Sequence, residues 1–260
     1  MSTEICVKNI DFIRFLRGGR SFVTVCLPCF SEEVFMHTNE KYELLLSAIS
    51  HEIRNPVTLI NSYLQLISSA HPEVGTFEYW NTVGEEMQHL KTLLGDLSLF
   101  NNSMKIHPIS LDLNKWMHAY GIHGEAFLHC LTGDHPDKMT FTTLIASDLP
   151  SMELDPDKLQ QVLDNLLRNA AEAHASHITL EATTDGSLLY LTVSDNGCGI
   201  PREQLPHLFE PFVSYKSEGS GLGLAIVQRI IKAHHGTITV QSEPSSDTRF
   251  IICLPFSSPA

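Results

Sequence analysis

From Tyr42 to Ile67 the apolar positions fall at Tyr42, Leu46, Ile49, Ile53, Pro56, Ile60, Tyr63 and Ile67. Steps of four and three alternate without a break, the repeat of a helix that lays one seam against other helices. Trp80, Val83, Met87, Leu90, Leu94 and Leu97 repeat the pattern, and the connector SAHPEVGT brings the Pro and Gly of a turn. The spacing predicts an antiparallel helical hairpin. One hairpin encloses little, so two of them joined as a four-helix bundle is the economical way to bury both seams, and a homodimer is expected.

After a polar break at NNSMKIHP the texture becomes mixed α/β. LDPDKLQQVLDNLLRNAAEAH reads as an amphipathic helix capped by Asp155 with Pro156 at its first position. ITLEAT, the turn TDGS and LLYLTVSD read as a β-hairpin. GSGLGLAIVQRIIKAHHG opens a helix with glycines and is expected to close it at Gly236, and the strands TITVQSE and TRFIICLPF follow. Residues 1–37 are too few to bury a core and form an appendage, although SFVTVCLPCF resembles a strand ended by proline. The expected units are 1–37, a hairpin domain at 38–103 and an α/β domain at 104–257.

Composition excludes several functions. A net charge of −13 opposes general attraction to nucleic acid phosphates. No apolar run approaches the roughly 18 residues of a membrane helix, so no membrane insertion is expected. The first twenty residues lack the basic-then-apolar order of a signal peptide, so a cytoplasmic chain is expected. Its six cysteines are scattered, as free thiols of a reducing compartment are. Cys26 and Cys29 have the spacing of a redox or metal pair, but with no second such pair they also read as small residues at a strand end.

Four constellations carry chemistry. With Ile49 at heptad position d and Ile53 at a, His51 falls at f, farthest from the seam. Glu52 beside it is able to orient or deprotonate the imidazole, and Asn55 lies one turn on. Pro56 removes a helix hydrogen bond at a cost of about 3 kcal/mol unless bending there is useful. Asn165 and Asn169 share a helix face with Gln161 and Glu172, as a candidate constellation or simply as solvated polar positions. Asp195, with Gly197 and Gly199 in DNGCGI, can accept from an exocyclic amine while glycines let a flat ring approach; DNG is also an ordinary turn. Gly219, Gly221 and Gly223, with Leu222 between them, open a helix and can present backbone amides to an anion, without the spacing of a dinucleotide or P-loop motif.

HEIRNP, NLLRNAAEA, DNGCGI, LFEPF and GSGLGLAI, in this order and spacing, resemble the H, N, G1, F and G2 boxes of the sensor histidine kinases of two-component systems, over about residues 40–256. The HEIRNP and NxxxNAxEA forms are closer to the nitrogen-regulatory and sporulation kinases than to osmosensing ones. The resemblance implies an α+β multidomain chain: a helical hairpin forming a dimeric four-helix bundle, then an α/β-sandwich ATP-binding domain of the GHKL (Bergerat) class. It implies that His51 attacks the γ-phosphate of ATP with Glu52 as base. Asn169 would hold Mg²⁺, with Asn165 supporting it, and Asp195 would read the adenine amine, with Gly197 and Gly199 making room for the ring. A lid between Pro201 and Glu218, hinged at Phe209 and Phe212, would carry Lys216 to the phosphates, and Gly219, Gly221, Leu222 and Gly223 would cradle them. The implied partner is the receiver domain of a response regulator, whose aspartate takes the phosphoryl group and whose dephosphorylation Asn55 would assist.

Relatives that hydrolyse ATP with water carry a glutamate where this chain has Asn165, which favours histidine as the nucleophile. The chain departs from the family where Ser245-Ser-Asp-Thr-Arg249 replaces the last glycine box, and no recognisable sensor module precedes the hairpin. Two alternatives keep the same residues: a phosphotransfer or scaffold protein with a degenerate ATP domain, and a net phosphatase with weak kinase turnover.

Overall fold

The computed structural model describes residues 32–132, 139–216, 219–244 and 246–256, with the backbone alone for 32–49 and for 51. The expected strand around Cys26 and Cys29, residues 217–218 of the lid and the solvent-facing side chain expected of His51 therefore lie outside the described residues.

Helix α1 (Glu32–Ala70) starts inside the expected appendage, turns through a short 3-10 segment (Pro72–Thr76) and returns as α2 (Trp80–Asn101). The helix runs on through Pro56, which cannot donate to the Glu52 carbonyl. Just beyond, Thr58 Oγ1 donates to the Arg54 carbonyl at 2.8 Å and Ser62 Oγ to the Thr58 carbonyl at 2.9 Å, a back-bonding pattern that favours bending.

Over the described part of the expected α1 seam, Ile53 to Ile67, the hairpin's own packing does not use it. Ser50 and Val57 are buried, with Arg54, Asn61 and Leu64 half-buried, and Arg54 Nη2 donates to the Leu94 carbonyl at 3.4 Å. Ile53, Ile60, Tyr63 and Ile67 of the seam are exposed. Periodicity locates an apolar stripe but not the neighbour it faces; here the stripe points away from the chain's own second helix.

The second half is a two-layer α/β sandwich. Its sheet has the order β2 (Thr140–Ile145), β4 (His177–Thr184), β5 (Leu188–Asp195), β7 (Thr248–Pro255), β6 (Thr237–Ser242), parallel between β2 and β4 and antiparallel elsewhere. A two-stranded antiparallel pair, β1 (Ile109–Asp112) and β3 (Ser151–Leu154), stands apart. Helices α3 (Leu113–Thr132), α4 (Pro156–Glu172) and α5 (Gly223–Ala233) pack their apolar faces on the alternating inward residues of the sheet, such as Leu189, Leu191 and Val193 of β5, in one core.

Asp155 caps α4 as expected, its Oδ1 accepting from the amides of Asp157 at 3.1 Å and Lys158 at 3.0 Å. The end of α5 differs from expectation. The left-handed residue is His235 (φ 59°), with its amide on the Lys232 carbonyl and the Gly236 amide on the Ile231 carbonyl, a Schellman closure. Gly236 is instead a contact glycine, since a Cβ there would lie 2.6 Å from the Cys253 carbonyl oxygen of β7. His174 (φ 57°) closes α4 in the same way, with the Ala175 amide on the Ala170 carbonyl.

The polar break at NNSMKIHP is packed rather than loose. Phe100 joins the core of the α/β half, and the Arg229 guanidinium of α5 lies 4.5 Å over its ring while Arg229 Nε donates to Ser103 Oγ at 2.8 Å. Lys158 Nζ reaches the Asn102 carbonyl at 2.9 Å, and Asp155 Oδ2 accepts the His107 amide at 2.7 Å.

Candidate functional site

Helix α4 is the spine of the site. Its apolar face (Leu159, Val162, Leu163, Leu166) is pressed into the core, which leaves Gln161, Asn165, Asn169 and Glu172 along one half-open side. Asn165 Nδ2 donates to the Gln161 carbonyl at 2.8 Å and so fixes the amide. Its Oδ1 faces the glycine-rich turn: a Cβ on Gly223 would lie 3.2 Å away. Asn169 Nδ2 and Gln161 Nε2 are buried without a hydrogen-bond partner. An orphaned buried amide costs about 1–3 kcal/mol, a cost that a polar partner on this side of α4 would offset.

The turn before α5 completes that side. Gly221 is left-handed (φ 67°) and a Cβ on it would lie 2.7 Å from the Phe212 carbonyl carbon, so only glycine lets the turn rest on the lid backbone. Leu222 is buried at the N-cap position, and the first amides of α5 open beside Asn165 with the positive end of the helix dipole. Gly219 is exposed. Lys216 forms an ion pair with Glu172, which holds the lid against α4. Of the expected hinge residues, Phe209 packs on the core, whereas Phe212 is exposed, left-handed (φ 64°) and 6.4 Å from the Phe100 ring.

At the other end of α4, DNGCGI leaves β5. Asp195 is buried; its Oδ1 accepts the Gly197 amide at 2.9 Å. Burial pushes its carboxyl up from the ordinary value, the Gly197 amide and Lys216 pull the other way, and Asp247 adds to the rise. A Cβ on Gly197 would lie 2.7 Å from the Ala173 carbonyl oxygen, and one on left-handed Gly199 (φ 72°) would overlap the Glu243 carbonyl oxygen. The loop is thus clamped between the end of α4 and the β6–β7 turn.

Sequence reasoning passed over two members of this end, Ser242 and Thr248. Thr248 pairs with Asp195 across β5 and β7, and Ser242 pairs with Thr248 across β6 and β7. Both are buried; their hydroxyls are 2.9 Å apart, and Ser242 Oγ accepts the Ile200 amide at 2.9 Å. Buried hydroxyls on the inward face of otherwise apolar strands were the available signal.

Asn165, Asn169, Asp195, Gly197, Gly199, Lys216 and Gly219 to Gly223 are thus ranged along α4, from the glycine-rich turn beside Asn165 to the loop beside its C-terminal end. Glu52 and Asn55 are exposed on α1, and among the described residues no hydrogen bond or ion pair joins them to it. Nor does any group of three or more His, Cys, Asp or Glu side chains there have metal-binding geometry. A hard cation held by the Asn169 amide oxygen would therefore need ligand oxygens as well, as Mg²⁺ on a polyphosphate has.

The His Kinase A (phospho-acceptor) domain matches residues 42–103, and the histidine kinase-, DNA gyrase B- and HSP90-like ATPase domain matches residues 154–258. Sporulation kinase A of Bacillus subtilis (strain 168) is 31% identical over 96% of this chain and 41% of its own length. The sensory histidine kinase/phosphatase NtrB of Klebsiella oxytoca is 31% identical over 81% of this chain and 61% of its own. The crystal structure of full-length ShkA in complex with AMPPNP shares the fold, with a TM-score of 0.65 and 24% identity over 84% of this chain and 47% of that one. The chain thus spans less than two thirds of the length of these relatives. With a phospho-acceptor hairpin and an ATPase sandwich in tandem, it belongs to the sensor histidine kinases.

Proposed function

We propose that the chain is an ATP-dependent protein histidine kinase that phosphorylates its own His51 and passes the phosphoryl group to an aspartate of a response regulator receiver domain. The observation that carries this reading is the amide pair on α4. Asn165 faces the glycine-rich turn with an oxygen that cannot take a proton from water, so the nucleophile has to come from elsewhere, and the H box supplies one. The ring nitrogen of His51 attacks the γ-phosphorus, the bond to the β–γ bridging oxygen breaks, and ADP leaves with the electron pair. Glu52, exposed beside it, takes the ring proton.

Asp195 accepts the adenine amine, Gly197 and Gly199 admit the ring, and Lys216 exchanges Glu172 for phosphate. Gly219, Gly221, Leu222 and Gly223 turn their amides to the phosphates. Asn169 offers its amide oxygen to Mg²⁺, with Asn165 in support; the ion supplies charge neutralisation when bound. The exposed stripe Ile53, Ile60, Tyr63 and Ile67 supports a homodimer through the 38–103 domain, with 104–257 as the catalytic domain. Among the described residues no helix is long and apolar enough to cross a membrane, and a reaction that consumes ATP fits the cytoplasm. Exposed Asn55, with the similarity to a kinase/phosphatase, supports regulator dephosphorylation as a second activity.

Incubation with γ-labelled ATP and Mg²⁺ tests the reading. The wild type is expected to gain an acid-labile label that His51→Gln loses while still binding ADP. An unlabelled wild type would favour the scaffold alternative. In the same assay with a labelled regulator, Asn55→Ala should leave more label on the regulator than the wild type, and an equal level counts against the phosphatase.

A further inference from the structure

Glu172 breaks a local rule. It is the last residue of α4, where the negative end of the helix dipole favours a cation, and the last turn of α4 holds no basic residue of its own. It also stands on the side of the helix that carries Asn165 and Asn169, proposed above to meet an anionic ligand. A carboxylate there opposes both the helix and a polyphosphate. The charge that answers it comes from the lid, whose Lys216 Nζ pairs with Glu172 Oε2. The lid is shaped to hold that lysine: Ser214 Oγ accepts the Lys216 amide at 3.1 Å and donates to the Lys216 carbonyl at 3.1 Å. Gly219 closes on the same hydroxyl, since a Cβ on it would lie 2.7 Å from Ser214 Oγ. Yet the ammonium is at the wrong end of α4 for phosphate. The glycine-rich turn lies beside Asn165, and Glu172 is two turns further on, about 10 Å along the axis. Lys216 is felt instead at the base end: burial raises the Asp195 carboxyl, and the Lys216 charge is among the influences that oppose the rise.

We infer that Glu172 is a positioning residue that opposes nucleotide binding: it parks Lys216 at the base end of the empty site, and the lysine reaches the phosphates only by giving up this ion pair. The inference rests on the ATP reading above and deepens it, because carboxylate and polyphosphate then compete for one ammonium. Each side chain of the pair is 45% exposed, so the competition is worth about 1.5- to fivefold in affinity. Its use is conformational. The lid lysine stays off the phosphate turn until a ligand with enough negative charge draws it there, and it returns to Glu172 when that ligand leaves.

The test is calorimetric titration of the full chain with ADP and Mg²⁺, for the wild type, Glu172→Gln, Lys216→Met and the double variant. Both substitutions fall on half-exposed side chains outside the core, so all four proteins are expected to fold. Glu172→Gln should bind ADP about 1.5- to fivefold more tightly than the wild type at low salt, and the gain should shrink as salt is raised and screens the pair. In the Lys216→Met background the same substitution should change little, because the lysine through which it acts is gone. Weaker or unchanged binding by Glu172→Gln overturns the inference, since the pair would then set the lid for nucleotide or do nothing to it. An equal gain in both backgrounds overturns it as well, because the carboxylate would be acting on the phosphates directly. Each of these results leaves the ATP reading standing, whereas a wild type that binds no ADP overturns that reading and the inference with it.

Discussion

Gly199→Ala puts the geometry of the base-binding loop to a quantitative test. Gly199 has φ 72°, where a side chain costs about 1–2 kcal/mol. The added methyl would also overlap the Glu243 carbonyl oxygen and lie 3.0 Å from that of Ser246, so backbone has to move on one side or the other. Forced overpacking of this kind costs about 1–3 kcal/mol, for a total of about 2–5 kcal/mol. If the β6–β7 turn yields, the cost appears as lost stability in urea unfolding. If DNGCGI yields, the Ile200–Ser242 hydrogen bond and the Arg202–Glu243 ion pair go with it, and the cost appears as weaker ADP binding, about thirtyfold for 2 kcal/mol. Unfolding with and without ADP, together with a direct titration, captures both. Gly84→Ala in α2 is the control: nothing lies within 4 Å of its Cβ position, and a helix interior should gain about 0.5–1 kcal/mol. A Gly199→Ala protein within about 1 kcal/mol of wild type and unchanged in ADP affinity would refute the claim that the loop is clamped.

Two further outcomes follow from the buried carboxylates. Asp155 is opposed by its own burial, but the amides of His107, Lys158 and Asp157, and His234, hold its carboxyl below the usual range. Asp155→Ala should cost about 2–4 kcal/mol near pH 7, from a lost cap and an orphaned His107 amide. Because that pKa is depressed in the folded state, the difference from wild type should be present above the ordinary aspartate range and fade as pH falls below it; a difference that persists in acid contradicts the assignment. For Asp195 the sign is reversed, since burial raises its pKa. Its charged form is needed to accept an amine, so ADP affinity should fall on acidification at a higher pH than an ordinary aspartate would cause. Through this same group the ligand-free fold loses stability as pH rises through the folded pKa, not as it falls. Asp195→Asn should bind ADP weakly at every pH, and an identical acid limb in wild type and variant would remove Asp195 from the base site.

What the sequence made legible were features set by local chemistry. Asp155 before Pro156 announced a capped helix, and TDGS between two apolar runs announced the β4–β5 hairpin, because caps and turns are decided within a few residues. The candidate site was legible as an ordered set of motifs, of which Asn165 and Gly223 meet at the glycine-rich turn though far apart in sequence. Less legible were features decided by tertiary neighbours. Helix α3 carries Gly121 and Gly124, which weaken its pattern, yet a Cβ on Gly124 would lie 2.8 Å from the Phe141 ring, so glycine is what lets α3 approach β2. His174 and His235 close helices in a conformation usually given to glycine, and no local rule distinguishes them from other surface histidines. Ser103 looked like part of a solvated break, but the Arg229 that makes it a buried contact lies 126 residues away.

The same contact bears on how a catalytic half could serve a histidine on a separate helix. Three segments meet at Phe100: α2, on which it sits; α5, whose Arg229 covers the ring; and the lid, whose Phe212 lies beside it and backs the turn at Gly221. The grip is modest in size. Burial of one phenylalanine contributes about 1.5–3 kcal/mol, and a cation–π contact about 0.5–2 kcal/mol. The segment after Ser103 is bound to the sandwich, since the His107 amide is held by Asp155. If the halves separate, the chain should therefore part at Phe100 and Ser103 and carry residues 104–108 with the sandwich. The Arg229–Ser103 and Lys158–Asn102 hydrogen bonds would break as well and add to that energy. Because Phe212 shares the contact, breaking it would alter the surroundings of the turn proposed to cradle the phosphates.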